Sequence, residues 1–225
     1  MILKSMKSIL AGAALATAAL TSSGADLISN GSFEAGAFVS NHGLDNTMSL
    51  PAGSITMPFW TVTKDIIAWI DTPNPFGLTA SPGHGIKFLD LTDYVSGPPF
   101  GGVEQTIATT TGVFYKLTFD LGSSLTFGVP DIIKATAGAT TALFGSTLLG
   151  TNNWEPEAVI FIGSPGPTTT ISLVGNTGLY YIGLDNVAVV ALSAIPEAET
   201  YAMMLAGLGL MGFVVHRRRG AKPAA

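Results

Sequence analysis

Apolar and polar residues alternate without interruption from Tyr115 to Leu121. A period of two sends successive side chains to opposite faces of a β-strand, so this segment predicts a strand with one buried and one polar face. The segment from Asp131 to Ala142 is compatible with either helix or strand. Shorter segments of strand-like composition are residues 85–91, 158–162, 168–174 and 179–190.

Clusters of glycine and proline separate these segments, at residues 73–75, 81–85, 97–102 and 163–167. Many short strands with such punctuation are typical of a β-sandwich. The sequence therefore predicts an all-β fold with a single sandwich over residues 26–194, a stretch long enough to bury a full core.

The charge and cysteine content of this stretch limit its partners. Thirteen acidic residues stand against four lysines, a net charge of −9, which argues against nucleic acid as a partner. The chain contains no cysteine, so an exported domain of this kind must be held by its core, by a metal, or by both.

The N-terminal segment predicts export. Lys4 and Lys7 precede an apolar stretch over residues 9–20, and the small residues Ser23 and Ala25 suit cleavage before Asp26. Residues 1–25 are therefore predicted to be a signal peptide, with signal peptidase and the secretion machinery as partners. A retained signal anchor is the alternative, which the short apolar run and the cleavage pattern disfavour.

The C-terminal segment predicts a second encounter with a membrane. Residues 201–215 are apolar and uncharged and are followed by His216, Arg217, Arg218 and Arg219. A helix of that length spans about 22 Å, short against a hydrocarbon core of about 30 Å, which suits temporary retention in the inner membrane. The three arginines are expected to stay in the cytoplasm and leave the preceding domain outside.

The order of these C-terminal features resembles the PEP-CTERM sorting signal of Gram-negative bacteria. Pro196 and Glu197 match the family's Pro-Glu-Pro box, Ala198 replaces its second proline, and the apolar helix and the three arginines complete the pattern over residues 195–225. The resemblance implies processing by an exosortase and delivery to the cell surface or extracellular matrix. The alternative is a plain C-terminal membrane anchor.

Several short motifs follow one another in a fixed order along the predicted sandwich. They are an opening strand at residues 27–34 with the letters NGSFE, a tryptophan segment at 58–62, a middle pattern at 88–91, 102–106 and 115–121, and a closing LDNV strand at 184–187. In this order and spacing they resemble the galactose-binding-like jelly-roll domains, and residues 123–153 match that pattern least. The resemblance implies a single jelly-roll sandwich and a carbohydrate-binding or structural role in exopolysaccharide or biofilm.

The same resemblance implies a structural calcium, held by Glu34 of the opening strand and Asp185 of the closing strand. Calcium requires several oxygen ligands at once, which the first and last strands of a jelly roll can bring together. Simpler interpretations stay open: Asn30 begins a turn, Glu34 is a solvated carboxylate, and Asp185 with Asn186 forms a local hydrogen-bonding pair.

A sugar-binding rim is predicted at the loop over residues 96–102. Tyr94 and Phe100 flank this loop, where little regular structure can bury them, and Asp93 lies beside them. By contrast, Trp60 and Trp154 are expected to pack in the core. The predicted ligand is extracellular polysaccharide.

An enzymatic role finds little support in the sequence, and the chain is predicted to be a non-enzyme. His42 and His84 are the domain's histidines, and no nucleophile motif is present. The alternative is a secreted polysaccharide hydrolase, which requires two carboxylates facing each other across a groove. Glu155 with Glu157, or Asp90 with Asp93, are the pairs closest in sequence.

Overall fold

The computed structural model of the chain describes residues 20–22, 24–94, 97–124, 126, 131–148, 152–178, 181–194 and 205–211. Twelve strands lie within these residues and form two sheets, which confirms the predicted all-β sandwich. The main compact unit spans Ser22–Leu192.

In chain order the strands are β1 (Leu20–Ser22), β2 (Thr47–Leu50), β3 (Thr61–Thr63), β4 (Ile67–Asp71), β5 (Lys87–Asp90), β6 (Gly102–Ala108), β7 (Phe114–Ser123), β8 (Ile132–Ala137), β9 (Thr140–Gly145), β10 (Asn153–Ile162), β11 (Thr168–Thr177) and β12 (Gly183–Ala194). The larger sheet has seven strands, in the order β10-β7-β12-β5-β4-β2, with β1 paired to β12. The smaller sheet has five strands, in the order β3-β6-β11-β8-β9.

The alternating segment over residues 115–121 forms the middle of β7. Its register against β10 is unbroken from Ser123 opposite Asn153 to Phe114 opposite Ile162. Because Tyr115, Leu117, Phe119 and Leu121 all face inward, they contribute directly to the core between the sheets.

The main core fills the space between the two sheets. Its largest fully buried side chains include Trp60, Trp69, Phe33, Phe119 and Phe161. Trp60 is buried as predicted, and its Nε1 donates a hydrogen bond to the Asn30 carbonyl at 2.8 Å. A buried tryptophan needs such a partner for its N–H group.

The segment that the sequence left open between helix and strand is a β-hairpin. β8 and β9 pair from Ala137 opposite Thr140 outward to Ile132 opposite Gly145. Gly138 lies in the connecting turn with φ of 58°, a conformation that glycine adopts without a steric penalty. The residues that matched the jelly-roll pattern least therefore continue the smaller sheet.

The two ends of the chain are described only in part. The structure describes β1 and residues 24–25 of the predicted signal peptide. It also describes residues 205–211 of the predicted sorting helix, which form a helix with exposed side chains. No helix within the described residues has the length and apolar character needed to cross a membrane. The residues predicted to direct sorting and processing lie outside the described ranges, namely Pro196, Glu197, Arg217, Arg218 and Arg219.

Candidate functional site

The outward face of the larger sheet carries a second apolar cluster. In β4, Ile67 and Trp69 face the main core, so Ala68 and Ile70 face the opposite way. These outward residues would be exposed on a bare sheet, but residues 72–86, called here the covering segment, pack over them. The buried members of the cluster are Ala68, Ile70, Leu78, Ala80, Phe88 and Tyr181, with Phe76 and Trp154 packed against them.

Hydrogen bonds hold the covering segment onto the sheet. Trp154 Nε1 donates to the Thr79 carbonyl at 3.1 Å, and Asn152 Nδ2 donates to Thr79 Oγ1 at 2.6 Å. The Ser81 backbone N–H donates to Asp185 Oδ2 at 2.8 Å. Because these bonds come from β10, from the residue before it and from β12, the segment is fixed at several points along the sheet.

Two glycines allow Tyr181 to lie close to the sheet. Gly183 of β12 stands opposite Gly122 of β7 in the register. A methyl group at Gly122 would lie 2.7 Å from Tyr181 Oη and 2.9 Å from the Trp154 ring. Only a residue without a Cβ leaves room for both rings, so the second cluster depends on this glycine.

A cavity of about 290 Å³ lies between the sheet and the covering segment. That volume is near the lower end of the range of about 300–1,000 Å³ for small-molecule sites, so the cavity suits one small group rather than a large cofactor. Apolar side chains make up part of its wall, and carboxylates and phenols supply the polar groups. The lining residues are Thr47, Ala68, Ile70, Phe76, Leu78, Asp90, Asp93, Tyr94 and Tyr181.

Asp90 is the most enclosed acid of the cavity, with 4 % of its surface exposed. Its Oδ1 accepts hydrogen bonds from the Ile182 N–H, the Thr92 N–H and Thr92 Oγ1, at 2.8 to 3.0 Å. Burial raises the pKa of Asp90 to about 7, and the charge of Asp93 adds to this effect. Asp90 thus exchanges its proton near neutral pH.

Asp93 belongs to a chain of polar contacts beside the cavity. Ser49 Oγ donates to Asp93 Oδ1 at 2.6 Å and lies 2.6 Å from His42 Nε2. Since the single hydroxyl proton of Ser49 goes to Asp93, His42 Nε2 must carry a proton and donate to Ser49 Oγ. His42 in this tautomer cannot activate Ser49 as a nucleophile, so the three residues form a support and not a catalytic triad.

His42 also supports Tyr94. The two rings stack with centroids 4.4 Å apart and an angle of 26°, and Tyr94 Oη donates to Asp45 Oδ2 at 3.3 Å. The Tyr94 side chain is 43 % exposed and lines the cavity. It is therefore a positioned, solvent-accessible aromatic ring at the cavity mouth.

Of the three residues predicted for a binding rim, two line the cavity and one lies in the core. Asp93 and Tyr94 both line the cavity, which brings them together as the sequence suggested. The expectation that Phe100 is exposed is wrong, since only 9 % of it is accessible and it belongs to the main core. The glycine-rich loop turns this ring inward, where its Cβ would lie 2.9 Å from a methyl group built on Gly175.

Glu34 and Asp185, the pair predicted to hold calcium, are both engaged with protein donors. Glu34 Oε1 accepts from the N–H groups of Ile86 and Lys87, and Lys87 Nζ lies 3.6 Å from Glu34 Oε2. Within the described ranges, no three His, Cys, Asp or Glu side chains are grouped so that they could hold a metal ion. The protein ligands do not by themselves complete a calcium site, and calcium stays a prediction.

Asp185 is nevertheless an unusual acid. It is fully buried on the outward face, directly opposite Asp120 of β7 in the register. Burial raises the pKa of Asp185 to about 7, and the charges of Asp120 and Glu34 add to this effect. Its oxygens accept from the N–H groups of Ser81 and Asn186, so the predicted local pair with Asn186 is present.

Asp131, which the sequence analysis did not single out, is fully buried directly before β8. Its carboxylate oxygens have no side-chain hydrogen-bond partner among the described residues, and the nearby backbone of Ser124 lowers its pKa only in part. Burial raises the pKa of Asp131 to about 8, and the charge of Asp90 contributes. Asp131 is therefore mainly protonated at neutral pH.

The acid pairs considered for hydrolysis do not face each other across a groove. Glu155 accepts bonds from Thr147 and Leu148, which hold the residues after β9. Asp90 and Asp93 share the cavity but come from the same short segment at the end of β5. The arrangement supplies hydrogen-bonding groups for a ligand.

Sequence reasoning missed much of the cavity. Ala68, Ile70 and Thr47 come from β2 and β4, short strands without a clear alternating pattern. One signal was available: β4 is buried on both faces, and its unbroken apolar run Ile67–Ile70 is typical of a strand covered on both sides.

Two family models match different parts of the chain. Residues 26–189 match the family described as a protein of unknown function (DUF642). The chain belongs to the DUF642 family. Residues 194–219 match the PEP-CTERM protein-sorting motif, as the sequence predicted. This motif identifies an exosortase-dependent surface protein and indicates export and membrane-associated sorting in Gram-negative bacteria.

Solved structures with a similar fold are distant from this DUF642 protein. The enzymatically active domain of bacteriophage CBA120 tailspike protein 4 shares 15% identity at a TM-score of 0.43, over 74% of this chain and 21% of that one. A CBM4 structure shares 15% identity with the chain at a TM-score of 0.41, and the match covers 73% of this chain and 99% of that one. A family 35 carbohydrate binding module from Clostridium thermocellum shares 14% identity at a TM-score of 0.40, and the match covers 63% of this chain and 97% of that one. No curated protein matches the sequence.

Proposed function

We propose that this surface protein binds extracellular polysaccharide through the cavity on the outward face of its larger sheet. The observation that carries the proposal is the combination of Tyr94, a supported and accessible ring, with Asp90 and Asp93 in one cavity. Sugars are bound by stacking on aromatic faces and by hydrogen bonds from their hydroxyl groups to carboxylates. The cavity offers both kinds of group.

The cavity is also formed before any ligand arrives. The covering segment is fixed to the sheet by Thr79 and Ser81, and Tyr94 is held by His42. A site whose groups are already ordered loses less conformational entropy on binding, which favours affinity. An exported protein sorted to the surface meets polysaccharide there, so the location suits the proposed ligand.

Retention on polysaccharide tests the proposal. The full-length protein is run in native gels that contain the producing strain's own exopolysaccharide, and its mobility is compared with that in gels without it. Tyr94→Ala is expected to weaken retention about tenfold, equivalent to about 1.4 kcal/mol, with an unchanged melting temperature.

Phe59→Ala is the matched control, because Phe59 is 68 % exposed but does not line the cavity. It is expected to keep wild-type retention. Equal retention of wild type and Tyr94→Ala would place binding elsewhere on the protein. A wild-type protein that shows no retention on this polysaccharide or on a broad glycan panel would favour a purely structural role.

A further inference from the structure

The cavity of the proposed function carries negative charge without a compensating cation. Asp90 and Asp93 both line it, and both are buried, with only 4 % and 9 % of their surfaces exposed. None of the lining residues is a lysine, an arginine or a histidine. Lys87, on the strand that carries Asp90, lies against Glu34 and Asp71 instead.

Each of these two carboxylates has a free oxygen. The bonds to Asp90 all end on Oδ1, and the bond from Ser49 to Asp93 also ends on Oδ1. Among the described residues, neither Oδ2 atom has a protein donor. Two buried carboxylates with open acceptor sites are thus presented to whatever occupies the cavity.

We propose, on the basis of the polysaccharide-binding function above, that the site selects an amino sugar with an unsubstituted, protonated amine. An ammonium group donates charge-assisted hydrogen bonds to carboxylates, which are about twice as strong as those of a neutral hydroxyl. It also relieves the repulsion between Asp90 and Asp93. A uronic acid brings a third negative charge into the same enclosed space and is rejected.

The proton on Asp90 gives this selection a pH dependence. The charge of Asp93 raises the pKa of Asp90. Asp131, just before β8, and Tyr181, just before β12, also interact electrostatically with Asp90. These neighbours of Asp90 are acids or a phenol. His42 reaches the cavity residues only indirectly, through its contact with Ser49, which bonds to Asp93, and through its stacking on Tyr94. An ammonium ligand binds the ionised form of Asp90 and displaces its proton.

Four oligosaccharides with one backbone test the selection. The probes are β-1,4-linked glucose trimers that carry at C2 a hydroxyl (cellotriose), an acetamide (chitotriose) or an ammonium (the glucosamine trimer), together with the trimer of glucuronic acid. Isothermal titration calorimetry on the full-length protein is expected to show the glucosamine trimer binding about tenfold tighter than cellotriose, and the glucuronic acid trimer binding weakest.

Asp93→Asn is the diagnostic variant, since an asparagine oxygen can still accept from Ser49. It is expected to reduce the preference for the glucosamine trimer over cellotriose to about twofold or less. Glu104→Gln, which neutralises an acid on the smaller sheet, is the control and keeps the full preference.

Two results overturn the selection and leave the polysaccharide-binding function standing: equal binding of the glucosamine trimer and cellotriose, or no binding of any trimer by a protein that its own strain's exopolysaccharide still retains. Loss of retention on the polysaccharide as well overturns the proposed function itself. A preference for the amine that Asp93→Asn leaves intact places the cation at another site and also contradicts the proposal.

Discussion

Replacing Asp131 with asparagine should change how the stability of the sandwich depends on pH. The folded protein keeps a proton on Asp131 up to a pKa of about 8, whereas an ordinary aspartate in the unfolded chain loses it near 3.8. Between these values the folded state binds more protons than the unfolded state, so the free energy of unfolding falls as the pH rises. The stabilisation is complete below the unfolded pKa and is lost by the time the pH passes the folded pKa.

One proton of difference corresponds to about 1.4 kcal/mol per pH unit. From pH 5 to pH 7, Asp131 alone lowers the free energy of unfolding by up to about 2.7 kcal/mol. Asp131→Asn has no proton to lose and should remove this part of the slope. Any fixed cost of burying the amide is the same at each pH, so it shifts the curve without changing its slope.

Urea unfolding followed by tryptophan fluorescence at pH 5, 6, 7 and 8, in buffer without divalent cations, measures this slope, because Trp60 and Trp69 are buried in the core. Glu104→Gln, on the smaller sheet, controls for the loss of one acidic group. Wild type and Asp131→Asn with parallel stability curves over this range would refute the assignment of a protonated Asp131.

Three further predictions concern the core, the metal and the tail. Phe100→Ala should destabilise the protein by about 3–5 kcal/mol, as expected of a core phenylalanine, whereas Tyr94→Ala should leave the melting temperature within about 2 °C; the opposite order in a thermal melt would return Phe100 to the surface. If Glu34 and Asp185 hold calcium, chelation should lower the stability by about 2.7 kcal/mol relative to a hundredfold excess over Kd, and Asp185→Ala should abolish the difference; identical melts with calcium and with chelator would remove the metal. Deleting Arg217, Arg218 and Arg219 together should cause missorting. The intact mass of the wild-type extracellular protein should show that residues 1–25 and the tail after the box region are removed when the exosortase is present, and retention of residues 201–219 in that form would indicate a plain anchor.

The sequence predicted those parts of the fold whose burial pattern is simple. In β7 one face packs on the core and the other faces outward, so apolar and polar residues alternate clearly along the strand. β8 and β9 were ambiguous because their outward residues include Ile132 and Leu143, which weaken the contrast between the two faces. β2 and β3 were missed because strands of three or four residues are too short to establish a period.

The residues of the candidate site could also be predicted only in part from local sequence patterns. Asp93 and Tyr94 were found because they stand beside a glycine-rich and proline-rich loop. Phe100 was misplaced because local composition does not reveal that a loop folds inward onto the core. Asp131 and His42 gain their roles from residues distant in sequence, Asp90 and Tyr94 respectively, and no local pattern marks such contacts.

The most direct measurement of the central claim is a map of where polysaccharide touches the protein. Backbone NMR spectra of the labelled protein, recorded while fragments of the strain's own exopolysaccharide are added, report contact residue by residue. Shifts should concentrate at Thr47, Ala68, Leu78, Asp93 and Tyr94, which line the cavity. Shifts confined to the smaller sheet, or none at saturating fragment, would contradict the assignment of this cavity as the binding site.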